Sequence, residues 1–200
     1  MYKLYDFLPS GNGYKVRLLL TQLGIPFERI ELDILKGETR TAEFLAKNPN
    51  GRIPVLELSP GEYLSESNAI LIYLSQGTEF LPIAPLEHAR VMQWLFFEQY
   101  SHEPYIATSR FWLQHGMADE KQRALAEKKA PGYAALSVLE QRLKDHPFLV
   151  SDRYSIADIA LFAYTHVASE GDFDLSQFSG ILAWIDRVQS QPGHVPITVG

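Results

Sequence analysis

The stretch that decides the fold is residues 51–68, which read GRIPVLELSPGEYLSESN. Apolar residues dominate 53–58 and 62–64, and the intervening Ser59-Pro60-Gly61 is typical of a turn, so the segment predicts a β-hairpin. The polar residues that follow precede an apolar run and predict a helix over 65–75. A hairpin closed by a helix is half of a small α+β domain.

The residues before this stretch supply the other half. Residues 2–7 alternate like a strand, 16–23 carry apolar side chains at helical spacing, and 27–34 alternate again. A short helix over 41–47 completes the order β-α-β, α, β-β, α. The first two strands need a crossover helix and are predicted to be parallel, whereas the last two are antiparallel. This order predicts a thioredoxin-like domain over 1–78.

The rest of the chain predicts helices only. Residues 79–86 are rich in turn residues and predict a linker, and 87–200 predict an all-helical domain. The fold class is therefore α+β, a thioredoxin-like domain followed by a helical bundle. The expected helices cover 87–115 with a kink or break at Pro104, 119–144 with an interruption at Pro131-Gly132, 156–168, and 181–191.

Composition excludes several kinds of protein. The 24 acidic and 18 basic residues give a net charge of -6, which argues against a nucleic-acid partner. No cysteine is present, so disulfides, cysteine-based zinc sites and cysteine nucleophiles are excluded. No two histidines share a helix at His-x-x-x-His spacing, and we expect no metal. No apolar stretch is long enough for a signal peptide or a membrane span, so we expect a cytoplasmic protein with no membrane partner.

The first candidate site lies at residues 9–13, PSGNG, between the first strand and the first helix. Ser10 and Asn12 fall at a helix N-terminus, where N–H groups and the helix dipole favour an anion, although Ser10 equally suits a plain N-cap. The glycines also begin a dinucleotide-binding fingerprint, with Asp33 at the position of a ribose-binding acid. Val16 in place of the third glycine, and the hairpin that follows, argue against that alternative.

The second candidate is Gly51-Arg52-Ile53-Pro54. A proline that opens a strand marks an edge or a special geometry, because it has no N–H for the ladder. A cis Ile53–Pro54 bond would turn the Ile53 backbone outward, where it could pair with an extended peptide ligand. Only about 5–6% of such bonds are cis, so the sequence alone favours trans.

The third candidate is Ser65-Glu66-Ser67-Asn68, at the start of the third helix. Ser65 suits the N-cap and Glu66 the first turn, which is a sufficient structural role. A ligand with a carboxylate and an ammonium group would also fit. Ser67 and the helix N–H groups would take the carboxylate, and Glu66 would face the ammonium.

In this order the three motifs resemble the glutathione transferase family of bacterial type. Residues 48–56, NPNGRIPVL, are similar to its loop and cis-proline strand, and 64–70, LSESNAI, to its γ-glutamyl site. Residues 131–140 and 148–158 resemble the second domain of bacterial members. Residues 10–16, SGNGYKV, resemble the nu class, in which a Thr and an Asn share the role of holding sulfur.

The resemblance implies glutathione as co-substrate, without a metal. Ser10 would hold the glutathione sulfur, with Asn12 beside it, and Tyr105 and Ile106 would line the pocket for the electrophile. The Ile53 backbone would pair with the cysteinyl part of glutathione. The other residues implied in glutathione binding are Asn50 and Arg52 near its backbone or glycyl carboxylate, Pro54, and Glu66 and Ser67 at its γ-glutamyl end.

The expected function is glutathione conjugation, in which the thiolate attacks a small electrophile. A second hypothesis, suggested by Ser10 and Asn12, is glutathione-dependent disulfide or peroxide reduction, which must pass through glutathione because the chain has no thiol. A third is a binding protein that kept the fold and lost catalysis. The resemblance also implies a homodimer.

Two further features predict structure rather than chemistry. Ser155 and Asp158 have the spacing of a capping box, with Tyr154 and Ile159 as its hydrophobic staple. We therefore assign Asp158 to folding of the helical domain. Arg110 is expected to form a salt bridge rather than to bind an acidic substrate.

Overall fold

The first unit of the structure, a computed structural model that describes all 200 residues, comprises residues 1–76 and 192–200. Its sheet has the order β2-β1-β3-β4. Strands β1 and β2 are parallel, whereas β3 pairs antiparallel with both β1 and β4, so the predicted thioredoxin-like arrangement is confirmed. The elements are β1 Tyr2–Asp6, α1 Gly11–Gln22, β2 Phe27–Glu31, α2 Ala42–Lys47, β3 Val55–Ser59, β4 Glu62–Ser65 and α3 Ser67–Ser75.

The register of the sheet aligns the ends of three strands. Tyr5 near the end of β1 pairs with Val55 at the start of β3, and Val55 pairs with Ser65 at the end of β4. The three connections that carry the candidate motifs therefore leave or enter the sheet beside one another. This alignment of strand ends, rather than any single helix, brings the three candidate motifs together.

The C-terminal residues 192–200 belong to this first unit, whereas the sequence assigned them to the helical domain. Arg17 of α1 is buried and donates to the carbonyls of Leu8 at 2.7 Å and Ile197 at 3.2 Å, and also to that of Val199. The Tyr14 hydroxyl donates to the Val195 carbonyl at 2.7 Å. Arg17 and Tyr14 lie at ordinary helical positions, so no local sequence pattern predicts these long-range hydrogen bonds.

The second unit, residues 77–191, is built from helices. Part of the predicted linker packs into it, because Phe80 is buried and its carbonyl accepts from the Ile156 N–H at 3.0 Å. None of the helices is both long and apolar enough to cross a membrane. The helices are α4 Pro85–Phe97, α5 Glu103–Gln114, α6 Ala118–Leu143, α7 Ile156–Thr165 and α8 Ser179–Gln189.

The break predicted near Pro104 is confirmed, but it precedes the proline. A π-helical turn, Glu98–His102, separates α4 from α5, and Pro104 lies in the first turn of α5. There its missing N–H leaves no hydrogen bond unmade, because the first N–H groups of a helix have no partner within the helix.

The predicted interruption of the next helix at Pro131-Gly132 is wrong, since α6 is continuous from Ala118 to Leu143. Gly132 has a packing role instead. A Cβ at this position would lie 2.4 Å from a ring carbon of Phe173, so glycine is what allows the ring to approach the helix. The packing of Phe173 is not visible in the local sequence.

The capping box at the start of α7 is confirmed. Asp158 is fully buried and its carboxylate accepts from the Ser155 N–H at 3.0 Å, the Leu149 N–H at 3.0 Å and Trp184 Nε1 at 2.9 Å. Burial raises the pKa of Asp158 to about 6, although these hydrogen bonds oppose the rise. Asp158 therefore ties the start of α7 to a loop and to α8, which agrees with its predicted folding role.

The salt bridge expected of Arg110 is also present. Its Nε lies 2.6 Å from a carboxylate oxygen of Glu170, in the 3-10 turn after α7. Arg110 is nearly buried in α5, so this pair fixes the turn against the helix.

Candidate functional site

Ser10 occupies the N-cap of α1. Its Oγ accepts a hydrogen bond of 3.3 Å from the Gly13 N–H, and its own N–H donates to the Phe7 carbonyl at 2.8 Å. An accepting hydroxyl keeps its proton for a further bond. The capping role and the proposed role toward sulfur are therefore compatible, and Ser10 can fill both.

A buried ion pair packs against the start of α1. Asp6, the last residue of β1, lies 2.9 Å from Arg17 Nε, and both side chains are buried. Burial raises the pKa of Asp6 to about 6, with Arg17 opposing the rise. A Cβ on Gly13 would lie 1.5 Å from Oδ1 of Asp6, so a glycine is required where the helix passes over this carboxylate.

The loop before β3 is shaped by Asn48, which sequence reasoning did not select. This side chain is buried, donates to the Arg52 carbonyl at 2.8 Å and accepts from the Asn50 N–H at 3.1 Å. The Ile53–Pro54 peptide bond is cis. Sheet pairing begins at Val55, so the backbone polar groups of Ile53 lie outside the ladder.

Arg40 is a second residue of this loop region that the sequence did not reveal. Its Nη1 donates to the Asn50 carbonyl at 3.0 Å, and its guanidinium lies against Gly51, which has a φ of 63°. Arg40, Asn50 and Arg52 are exposed. Two guanidinium groups beside a solvent-facing loop form a place that suits a carboxylate.

At the third motif the structure corrects the predicted cap. Ser65 is the last residue of β4, and Glu66 occupies the N-cap position without a side-chain cap bond. Glu66 has φ 70° and ψ 112°, a conformation that L-residues rarely adopt. Such strain is tolerated where the surrounding structure imposes it, and it is common in binding sites. The exposed Glu66 carboxylate is thereby free of any capping duty.

The motifs on α1 and α3 meet directly. Ser67 Oγ donates to Asn12 Oδ1 at 3.2 Å, and Lys15 Nζ donates to Asn12 Oδ1 at 2.8 Å and to Ser67 Oγ at 3.4 Å. Lys15 and Ser67 are buried. The sequence indicated Asn12 and Ser67 but gave no reason to choose Lys15, because a lysine on the first turns of a helix is ordinarily a surface residue.

The two predicted electrophile-pocket residues lie in the other unit, on α5. Ile106 has no exposed surface. Tyr105 is half-buried, and its ring centroid lies 5.6 Å from Lys128 Nζ. No group of three or more acidic or histidine side chains is arranged to hold a metal ion.

Comparison with known proteins identifies the family. Residues 1–76 match the model of the glutathione S-transferase N-terminal domain, and residues 92–192 match that of the C-terminal domain. A crystal structure of a glutathione S-transferase from Pseudomonas fluorescens shares 56% identity over 98% of each chain, with a TM-score of 0.96.

Two more distant relatives carry more specific names. The disulfide-bond oxidoreductase YfcG of Escherichia coli is 33% identical, over 96% of this chain and 92% of its own. A crystal structure of the glutathione transferase URE2P8 from Phanerochaete chrysosporium with oxidized glutathione is 26% identical, over 96% of this chain and 90% of that one, with a TM-score of 0.85. The chain therefore belongs to the glutathione S-transferase family.

Proposed function

We propose that this protein binds glutathione, holds its sulfur as a thiolate at Ser10 and Asn12, and joins glutathione through that sulfur to a small electrophile. The observation that carries the proposal is the strand register Tyr5–Val55–Ser65, which sets the three candidate motifs side by side. The direct bond between Asn12 and Ser67 joins two of them. If Ser10 were only a helix cap, neither the alignment of the strand ends nor the Asn12–Ser67 bond would be needed.

The start of α1 is sufficient for the chemistry. A free thiol has a pKa of about 8.5, so a useful thiolate fraction near neutral pH requires a fall of about one to two units, or about 1.4–2.7 kcal/mol. A hydrogen bond to a charged group contributes about 1.5–3 kcal/mol and a helix N-terminus about 0.3–1. The thiol proton leaves to solvent, the thiolate forms the new carbon–sulfur bond, and the leaving group takes its electron pair.

Polar groups near the same strand ends match the other parts of glutathione. The Glu66 carboxylate suits the γ-glutamyl ammonium, and the Ser67 N–H at the start of α3 suits the neighbouring carboxylate. The Ile53 backbone lies outside the sheet ladder and would pair with the cysteinyl residue. Arg40 and Arg52 suit the glycyl carboxylate, with Asn50 and Pro54 shaping the loop between them. Tyr105 is the candidate contact for the electrophile.

The test is calorimetry with reduced glutathione on the wild type and on Ser10→Gly. We expect the wild type to bind with release of a proton, and Ser10→Gly to bind while releasing much less, because the variant keeps a tolerated N-cap residue but lacks the hydroxyl that would donate to sulfur. Glutathione that fails to bind, or to raise the melting temperature at millimolar concentration, would favour the non-catalytic binding protein over the transferase.

A second function, disulfide reduction, is favoured by the relative named disulfide-bond oxidoreductase. Because this chain has no cysteine, the reaction would pass through glutathione itself. A glutathione thiolate would attack a disulfide and expel one thiolate. A second glutathione would then attack the mixed disulfide, releasing the other thiol and forming oxidised glutathione. The electrons come from the two glutathione thiols. Turnover of hydroxyethyl disulfide tests this reaction, and its absence would exclude it.

We also propose that the protein is a homodimer. Leu86 and Phe96 on α4 and Tyr100 in the π-helical turn are large apolar residues exposed at 63%, 72% and 85%. A surface of this kind on a helix suits a protein partner. We expect Phe96→Glu to convert a dimer to a monomer in analytical ultracentrifugation, and a monomeric wild type would contradict the proposal. The cytoplasmic location expected from the sequence stays a prediction.

A further inference from the structure

Lys15 has no exposed surface, although it lies only five residues beyond the helix cap. Burying an ammonium group is costly unless acceptors surround it. Two of its acceptors, Asn12 Oδ1 at 2.8 Å and Ser67 Oγ at 3.4 Å, belong to the candidate site. The lysine thus lies behind the residues proposed to bind glutathione rather than among them.

The chemistry of the lysine fixes which way the Asn12 amide points. An ammonium group has three donors and no acceptor, so the amide atom that faces it must be the oxygen. The Ser67 hydroxyl donates to the same oxygen at 3.2 Å. Both lone pairs of Oδ1 then accept a hydrogen bond. The amide is thereby held with its oxygen, and not its NH2 group, toward Lys15 and Ser67. Exchanging the two amide atoms would set N–H groups against the ammonium.

We propose that Lys15 is a positioning residue, which orients the Asn12 amide so that its NH2 group donates to the glutathione sulfur. This inference rests on the proposed function, since it names what prepares Asn12 for the thiolate. The donor that Lys15 gives to Oδ1 also polarises the amide, and hydrogen bonds in such a chain strengthen one another. Lys15 itself does not contact glutathione.

The first test replaces the donor and keeps the network. In Asn12→Asp, both carboxylate oxygens still accept from Lys15 and Ser67, but no N–H remains for the sulfur. The thiolate fraction of bound glutathione is followed by its ultraviolet absorbance against pH. We expect the pKa of the bound thiol to rise by at least about one unit, so that the thiolate fraction near neutral pH falls several-fold. A thiolate fraction like that of the wild type would overturn the proposal.

The second test is a double-mutant cycle of Lys15→Met and Asn12→Ala, with Lys36→Met at an exposed lysine as the matched control. We expect Lys15→Met to lower kcat/KM at least about tenfold, and to have little further effect once Asn12 is alanine. Lys36→Met should match the wild type. Full additivity of the two changes, or an unchanged Lys15→Met enzyme, would overturn the proposal. A Lys15→Met protein that does not fold leaves Asn12→Asp as the deciding variant.

The outcomes separate this inference from the function on which it rests. Wild type that binds no glutathione, or binds it without thiolate, contradicts the proposed function. Wild type that forms the thiolate, with loss of the thiolate in Asn12→Asp but not in Lys15→Met, contradicts only the role of Lys15.

Discussion

The Ser67 hydroxyl on α3 donates a hydrogen bond of 3.2 Å to Oδ1 of Asn12 on α1, across 55 residues of sequence. The N-termini of the two helices are therefore tied to each other by side chains as well as by the sheet. Each N-terminus favours an anion. The bond therefore connects the residue proposed to hold the sulfur with the residue proposed to hold the γ-glutamyl carboxylate.

Removing the Ser10 hydroxyl should separate capping from chemistry. Ser10→Gly keeps a tolerated N-cap, so its unfolding free energy should fall by only a few tenths of a kcal/mol, whereas Ser10→Ala should lose about 1 kcal/mol. Both should raise the pKa of the bound thiol, because both lack the donor to sulfur. Denaturant titration and a profile of kcat against pH at saturating glutathione measure the two effects. A thiol pKa raised only in the alanine variant would mean that Ser10 is no more than a cap.

Glu66 is expected to lower stability in favour of binding. Its φ of 70° is strained for an L-residue, so Glu66→Gly should raise the unfolding free energy by about 1 kcal/mol. The same change removes the carboxylate and should weaken glutathione binding. Glu66→Gln is the control, since it keeps the Cβ and loses the charge; it should weaken binding without the gain in stability. Calorimetry and thermal unfolding distinguish these results.

Gly13→Ala should destabilise the protein, although helix propensity alone predicts that alanine would stabilise α1. Alanine favours helices, but its Cβ would fall 1.5 Å from Oδ1 of Asp6 and displace the carboxylate from Arg17. We expect a loss of about 1–3 kcal/mol in a denaturant titration. The exposed Thr21→Ala on the same helix should stay within about 0.5 kcal/mol. A Gly13→Ala protein as stable as this control would contradict the close approach of Asp6.

Asp158 should make stability depend on pH. Its pKa is about 6 in the folded protein against 3.8 for an ordinary aspartate side chain, so the folded state binds its proton more tightly. This contribution to the free energy of unfolding is fully present below pH 3.8 and is lost as the pH rises through about 6. Asp158→Asn cannot titrate and also sets an NH2 group among three donors, so it should be less stable throughout. Its deficit should grow when the pH falls from about 7 to about 5, and a deficit that shrinks would refute this linkage.

The C-terminal segment should stabilise the first unit. Removing residues 192–200 takes away the carbonyl partners of Arg17 and Tyr14 in the tail and exposes part of α1. We expect a clear fall in melting temperature. Tyr14→Phe, which loses the hydrogen bonds of the hydroxyl with the Val195 carbonyl and with His194 Nε2, should cost about 1–2 kcal/mol. A truncated protein with the melting temperature of the full chain would show that these contacts contribute nothing to folding.

Local patterns predicted most of the elements because their causes are local. Alternation marked β1, the Ser59-Pro60-Gly61 turn marked the hairpin, and Ser155 with Asp158 marked the start of α7. Where the cause was a distant partner the sequence misled. The helix α6 runs without interruption through Pro131-Gly132, where Phe173 packs against Gly132, and Glu66 rather than Ser65 precedes α3 because β4 takes Ser65 into its pairing.

The sequence by itself determined the order of strands and helices and the absence of any cysteine nucleophile, because these follow from periodicity and composition. The residues of the proposed glutathione site followed from the resemblance of three sequence motifs to the family. Only the tertiary structure decided that Asn12 meets Ser67, that Lys15 lies buried behind both, and that residues 192–200 close over Arg17. The physical reason is that these are side-chain contacts between distant segments. They depend on the register of the sheet and the packing of α1 and α3, which no window of neighbouring residues contains.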